Sequence, residues 1–295
     1  MAVHDDLGNR MKDYEARNQY FLQRRTPVAI RVDMKSGHSF TKGFQRPFDE
    51  IFVKSMQQTA KFMCENIQGA VLSFQQSDEI TIILQDYKNL NTDAWFNYRT
   101  DKMCSIAASM ATMAFNRAFE KNYFEWKTDN IPSIFDNRIP MNIVALGETY
   151  AKALEKGAMF DARVFNIPKE EVANLIYWRQ LDATRNSIQM IGQANFSHNE
   201  LQNKSCNQIQ EMLFQERDIN WNDFPTHLKR GSCCIKNNTN ITYARSYGEE
   251  VETGSIQRPH WEIDLEIPIF KEEGRQYIND RILYDDGEPK PVVIF

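Results

Sequence analysis

Two acidic sites stand 45 residues apart in the chain, each at the end of an apolar run. Asp33 closes Pro27-Val28-Ala29-Ile30-Arg31-Val32. Ser77-Asp78-Glu79 lies between Ala70-Val71-Leu72-Ser73-Phe74 and Ile80-Thr81-Ile82-Ile83-Leu84. A carboxylate left unpaired near a sheet is costly unless a cation neutralises it. Asp33 and Asp78 are hard oxygen donors suited to Mg²⁺, which takes the rest of its shell from water and substrate phosphates. Two carboxylates converging from neighbouring strands are what two-metal phosphoryl transfer requires. Directly after Asp33, Lys35-Ser36-Gly37-His38 forms a short loop that can offer backbone N–H groups to a triphosphate. Gly37 permits close approach, and Lys35 and His38 add charge or hydrogen bonds. Taken singly, each motif also reads as a strand-ending turn with a solvated acid.

Periodicity supplies the elements that must position these groups. Residues 27–33 alternate as a strand, with Val28, Ile30 and Val32 on one face and Ala29, Arg31 and Asp33 on the other. Pro47 to Gln68 reads as a helix with Asp49 and Glu50 in its first turn, a stripe of Phe52, Met56, Ala60, Met63 and Ile67, and Gly69 after its end. Strands follow at 70–76 and 79–85, joined by a tight polar turn. A long helix spans about 93–119. Arg99 and Lys102 sit one turn apart near its start, readable as phosphate ligands or as an exposed surface pair. A loop with Pro132 and Pro140 precedes a strand at 160–165. Pro168 then opens a helix to about Gln193. Its Arg179, Asp182, Asn186 and Gln189 make a polar stripe, while Val172, Ile176, Trp178 and Ile188 can pack. Arg179, Arg185 and Asn186 could contact RNA backbone; a solvated face is the competing reading. Beyond 194, short helices at 197–216, a hairpin-like stretch at 231–246 and a strand at 261–268 are expected.

The order β-α-β-β-α-β is the split βαβ, ferredoxin-like unit. The expected fold is therefore α+β: an antiparallel sheet with helices on one face, plus a C-terminal helical and β extension. In that topology the first and third strands are central antiparallel neighbours, which brings Asp33 beside Asp78 and Glu79. The face carrying Arg31 and Asp33 is left for substrate. By period Glu79 points to that face, and the turn leaves Asp78 undetermined. The expected organisation is a core at 1–166 with a basic N-terminal segment, a helical region for RNA or oligomer contacts at 167–247, and an acidic extension at 248–295.

The chain has 295 residues, 42% hydrophobic and 25% charged, enough for one large domain or two intimate ones. Its net charge of −5 argues at first against nucleic acid, but the charge is unevenly placed. Arg10 to Arg46 holds nine Lys/Arg and three Asp/Glu, and Glu249 to Glu288 holds twelve Asp/Glu and four Lys/Arg. Local patches outweigh the sum. No run of eighteen apolar residues suggests a membrane span, and Met1 to Arg10 is polar. Five cysteines without metal-ligand spacing fit a reduced, cytoplasmic protein.

Several blocks, taken in order, resemble the tRNA-histidine guanylyltransferase superfamily, and most closely its Thg1-like proteins, which are 3′-to-5′ RNA polymerases. They are Arg31-Val32-Asp33-Met34-Lys35-Ser36-Gly37-His38-Ser39-Phe40, Arg46-Pro47-Phe48-Asp49, Ser77-Asp78-Glu79 and Trp178-Arg179-Gln180-Leu181-Asp182. The similarity covers roughly residues 5–245. It implies a polymerase-palm fold working in reverse: the RNA 5′ end, activated as a triphosphate or by adenylation, is attacked by the 3′-hydroxyl of an incoming nucleotide. It further implies that Asp33 and Asp78 hold two Mg²⁺ ions, with the Met34 carbonyl as another ligand. Lys35 to His38, Asp49 and Ser77 would hold the nucleoside triphosphate (GTP or ATP). Arg99 and Lys102 would lie near a second triphosphate, and Glu79 would be an acidic residue needed for activity. Relatives of this kind act on tRNA and are often homotetramers.

The chain departs from the family pattern in places. Met34, Lys35 and Gly37 stand where Gly, Arg and an aromatic are usual, and a carbonyl ligand at Met34 requires a negative φ there. Thr184-Arg185-Asn186-Ser187 replaces the His-Ile-Asn-Asn stretch of the tRNA-histidine enzymes. This favours templated repair of tRNA 5′ ends over the alternative, a tRNA-histidine-specific guanylyltransferase adding G.

Two further readings compete. A palm-fold nucleotidyl cyclase would use the same metals without RNA; the chain lacks the Gly-Gly-Asp/Glu-Glu-Phe hairpin of the dinucleotide cyclases. An RRM-type sheet would stack bases on central-strand aromatics, but these strands offer Asp33, Arg31 and Thr81 instead.

Overall fold

The computed structural model describes residues 6–130, 140–247 and 250–282. Six strands, β1 (Val28–Met34), β2 (Ala70–Gln76), β3 (Glu79–Leu84), β4 (Phe160–Asn166), β5 (Ser232–Tyr247) and β6 (Glu250–Asp264), form one antiparallel sheet in the order β4-β1-β3-β2-β5-β6. The helices among these residues are α1 (Asp6–Ala16), α2 (Gly37–Phe40), α3 (Glu50–Asn66), α4 (Thr100–Asn130), α5 (Met141–Lys156), α6 (Val172–Asn195), α7 (His198–Leu201), α8 (Cys206–Arg217), α9 (Thr226–Arg230) and α10 (Gln276–Ile282). None is long and apolar enough to cross a membrane.

Alternation along β1 and β3 divides the interior into two cores. Val28, Ile30, Val32 and Met34, with Ile80, Ile82 and Leu84, pack under α3, α4 and α5. Ala29 and Ile83 face the other way, joined by Leu72 and Phe74. The helices between the first four strands cover one face, as expected. Part of the second is roofed by Val172, Ala173 and Ile176 of α6, together with Ile267, Phe270, Ile278 and Ile282. Gln180 clamps this roof: its amide donates to Pro268 O at 2.8 Å and accepts from Phe270 N at 2.9 Å. The acidic extension thus has a structural task over the part described; residues 283–295 lie outside it.

Several boundaries differ from the sequence expectation. Asp49 is the N-cap of α3 rather than a first-turn residue. α4 starts at Thr100, because Phe96, Asn97 and Tyr98 have φ of 50°, 52° and 59° and cannot continue a right-handed helix backwards. α5 occupies a stretch expected to be loop; Pro140 is its N-cap, and the segment around Pro132 lies outside the described residues. β6 runs over 250–264 instead of 261–268 and pairs with β5 as a long hairpin. β5 in turn pairs with β2, so the C-terminal regions continue the same sheet and the division at 247 falls within a hairpin.

Phe270 is 1% exposed and meets Phe74 edge-to-face at 6.2 Å. Phe270→Ala is expected to cost about 3–5 kcal/mol by cavity formation, measured as a lower urea midpoint. A change under about 1 kcal/mol would mean that the extension does not close the second core.

Candidate active site

The β1–β3 register sets Asp33 directly opposite Glu79, and the β1–β4 register sets it opposite Asp161. Ser77 and Asp78 form the turn between β2 and β3, with Ser77 left-handed at φ 46°. The carbonyl of Asp78 accepts from Met34 N at 3.1 Å, tying this turn to the end of β1. A Cβ added at Gly37 would stand 1.9 Å from Asp78 Oδ2. Glycine at 37, where the family usually has an aromatic, therefore leaves room for the Asp78 carboxylate. The structure brings Asp33, Asp78, Glu79 and the loop Lys35–His38 to one end of the sheet.

An aromatic cluster anchors that loop. Phe40 meets Phe115 at 5.6 Å and Phe119 at 5.5 Å, and Phe44 meets Tyr150 at 5.1 Å. Lys35 N donates to Met159 O at 2.8 Å, and Ser36 is left-handed at φ 56°. Lys35, Ser36 and His38 are exposed, while Met34 buries its side chain in the first core. Met34 does not adopt a positive φ, so the backbone condition for a carbonyl ligand holds.

Burial pushes the Asp33 carboxyl above its ordinary value, and the like charges of Asp78 and Asp161 push it the same way against Arg163 and Arg31. Crowded, under-compensated oxygen donors of this kind fit a divalent cation such as Mg²⁺. Among the described residues no three acidic, His or Cys side chains form a ready-made cage. Such an ion would be held by two carboxylates, with substrate and water filling its shell.

Glu79 is neutralised differently. Arg179 Nε and one terminal nitrogen donate to its two oxygens at 2.6 and 2.8 Å, and Arg31 stands 3.9 Å away. Burial raises the Glu79 carboxyl, and the Arg179 charge and hydrogen bonds oppose it. Arg179 also bonds Asp182 at 3.0 Å, and Asp182 in turn holds Arg185.

Some expected roles change. Arg179 is 7% exposed, so it does not lie on a solvated RNA-facing stripe: its guanidinium is consumed by Glu79 and Asp182. Trp178, expected to pack, is 53% exposed. Arg185 is exposed, while Asn186 is half-buried. Asp49 is buried, and its carboxylate accepts from Phe52 N, Gln45 N and the Tyr150 hydroxyl. It braces the loop and has no free face for a nucleotide.

Arg99 and Lys102 lie elsewhere. Phe160 N donates to Thr112 of α4 at the Met34 end of β1, whereas Arg99 pairs with Phe21 near Asn166 and Val28. At 1.5 Å per helical residue, Arg99 is roughly 20 Å along α4 from the carboxylates' end. Its side chain pairs with Asp101 at 2.9 Å. Within one chain it does not join the carboxylate site. Conversely, Asp161 and Arg163 share the site's surface and were not singled out; the alternation of β4 opposite Asp33 and Arg31 carried that signal.

Comparison with known proteins agrees with this geometry. The family model for the tRNA-His guanylyltransferases, Thg1, matches residues 8–168. A bacterial Thg1-like protein solved with ATP superposes with a TM-score of 0.73 at 34% identity, over 95% of this chain and 100% of that one. The GTP complex of a bacterial Thg1-like protein gives 0.68 at 33% identity, with the same coverage of both chains. In sequence, the tRNA(His) guanylyltransferase of Saccharomyces cerevisiae is 28% identical over 219 residues, 70% of this chain and 80% of its own. An uncharacterized protein of Acanthamoeba polyphaga mimivirus is 27% identical over 239 residues, 78% of this chain and 76% of its own.

Two outcomes follow from the electrostatics. A raised carboxyl pKa means that the folded state holds the proton more tightly than the unfolded chain. Ionised Asp33 therefore costs stability above the raised value, and the cost fades as pH falls toward 3.8. Asp33→Asn should raise the Tm at pH 7 by a few degrees, a gain that shrinks on acidification. Mg²⁺ should raise the Tm of the wild type but not of this variant; equal shifts in both would place the ion elsewhere.

The second outcome concerns the buried ion pair. Arg179→Ala leaves Glu79 buried and uncompensated, at a cost of about 3–5 kcal/mol in urea unfolding. The double variant Glu79→Gln/Arg179→Met should recover most of that loss. If the double variant is as unstable as Arg179→Ala, the cost lies in packing and not in charge.

Proposed function

The chain belongs to the Thg1 family of tRNA-His guanylyltransferases, and on that premise we propose that it is a templated 3′-to-5′ polymerase that repairs tRNA 5′ ends. It is a nucleotidyltransferase. The observation that carries the proposal is the convergence of Asp33 and Asp78 at the sheet end beside the Lys35–His38 loop. Asp33, Asp78 and the Met34 carbonyl are the groups that would hold Mg²⁺. Bound there, Mg²⁺ supplies charge neutralisation for the phosphoryl group and a lower pKa for the attacking 3′-hydroxyl.

The protein's own groups do the remaining work. The exposed Lys35 ammonium and His38 ring reach toward the phosphate oxygens of an incoming nucleotide. The left-handed turns at Ser36 and Ser77 hold loop and carboxylates in one fixed relation, a strain the aromatic anchor sustains. Glu79 has both oxygens committed to Arg179, so it braces the site and is not free to serve as a proton acceptor. Arg185 and the basic N-terminal third meet RNA phosphates without reading bases.

The stretch 184–187 supports repair over histidine-tRNA selectivity. Thr184 donates to Gln180 O, and Ser187 donates to Thr184 O and accepts from the Trp221 indole. Both side chains are satisfied inside the protein. Arg185 is tied to Asp182, which leaves little with which to recognise a particular anticodon. The similarity to structures of bacterial Thg1-like proteins points the same way.

The test uses tRNA lacking its first nucleotide, labelled nucleotides and Mg²⁺. The added base should follow the opposite template base, and activity should be indifferent to the anticodon. Affinity should fall steeply with salt as phosphate contacts release counterions. Addition of G regardless of template, or dependence on the histidine anticodon, would overturn repair in favour of the histidine-specific enzyme. Cyclised product from nucleotides alone would favour the cyclase.

A further inference from the structure

Among the five tryptophans, Trp95, Trp221 and Trp261 are under 10% exposed and Trp126 is partly buried, yet Trp178 is 53% exposed. Nothing in the packing of α6 calls for it there. The buried side of that helix is formed by Val172, Ala173, Ile176, Gln180 and Ala183, which leaves Trp178 on the other side. The indole stands where α6 leaves the sheet face uncovered. The guanidinium of Arg179 lies 4.6 Å from its ring centroid, and that of Arg31 lies 6.0 Å away. Arg31 is two residues from Asp33 on the same face of β1, and Arg163 is its register partner on β4. A large π-face is thus held by two cations, beside the candidate catalytic carboxylates, on a surface with a further exposed arginine, Arg163, which pairs with Asp161 at 3.7 Å.

We propose that Trp178 is a stacking platform for the terminal nucleobase at the 5′ end of the RNA substrate. The proposal rests on the 5′-end repair reading above and deepens it. Stacking is tolerant of sequence because every base has a π-face. A templated enzyme needs that tolerance, since the terminal base differs from one substrate to the next. Arg179 cannot itself reach the RNA, because Glu79 and Asp182 occupy it. It instead fixes the ring from one side, so the indole is ordered before substrate arrives. Arg31 and Arg163 supply positive charge for the adjoining phosphates. A contact between copies of the chain through Trp178 and Leu181, which is 50% exposed, is the competing occupant and is separated by the test.

The experiment uses the full chain with 5′-truncated tRNA and the variants Trp178→Ala, Trp178→Phe and Trp178→Leu. Trp178→Ala should raise the RNA Kd about 5- to 100-fold, the loss of one stacked base. Trp178→Phe should keep most of the affinity and Trp178→Leu should not. The kinetic loss should fall on the KM for RNA and not on that for the nucleoside triphosphate. RNA should quench tryptophan emission in the wild type and far less in Trp178→Phe. Unchanged RNA affinity in Trp178→Ala, or rescue by Leu equal to that by Phe, would overturn the proposal. So would a shift in sedimentation in Trp178→Ala with RNA affinity intact, which assigns the ring to a subunit contact. If the wild type extends tRNA and Trp178→Ala binds it normally, stacking fails while the repair reading stands. If the wild type binds with quenching but adds no nucleotide, repair fails while stacking stands.

Discussion

A carboxylate lodged at the end of the central strands must be neutralised from somewhere, and here the C-terminal half of the chain supplies the guanidinium. Glu79 follows the turn that carries Asp78 and is 8% exposed. Water cannot screen it, and Asp33 opposite adds charge of the same sign. The bidentate contact from Arg179 resolves this, and it fixes much else. α6 must cross the sheet face at the level of Glu79. Gln180, one residue on, then grips the 268–270 backbone. The site's electrostatics and the closure of the second core are consequences of one helix placement.

The site divides its negative charges into two kinds. Glu79 is compensated from within the protein. Burial leaves both carboxyls raised, but Asp33 is also crowded by Asp78 and Asp161 and has no guanidinium among the described residues bonded to it. A permanently paired acid beside an under-compensated one is how a fold reserves a place for a mobile cation without being destabilised by every acid it holds there. Aromatic packing beneath the Lys35–His38 loop, and Asp49 bonded to Tyr150, keep the backbone around that place stiff.

Alternation made β1 legible, and short apolar runs around a polar turn made β2 and β3 legible, within a residue or so, and with them the meeting of Asp33 with Asp78 and Glu79. That inference needed only topology. What escaped was set by partners distant in sequence. Asp49 shows no sign in its own neighbourhood that Tyr150 will bond it. Arg179 reads as one of several helical arginines until Glu79 is placed beneath it. Arg99 and Lys102 keep helical spacing on paper, but the left-handed residues 96–98 start the helix later, and β4 directs that end of α4 away from the carboxylates. α5 was obscured because the prolines before it suggested a loop. The alternation of β4 did announce Asp161 and Arg163, although no motif drew attention to them.

The order of strands in the sheet carries a consequence for biosynthesis. β2 and β3 are adjacent in sequence and can pair as soon as both leave the ribosome. The roof over Ala29, Leu72, Phe74 and Ile83 is completed by Ile267, Phe270, Ile278 and Ile282, which emerge long after those strands. Until then that apolar surface has at most the α6 part of its cover, and until β5 follows, the edge of β2 that it will occupy is unpaired. Such intermediates are open to aggregation and to chaperone capture. The nascent chain can shape its nucleotide loop early, but it cannot lock Arg179 onto Glu79 under a finished roof until the segment 267–282 has followed.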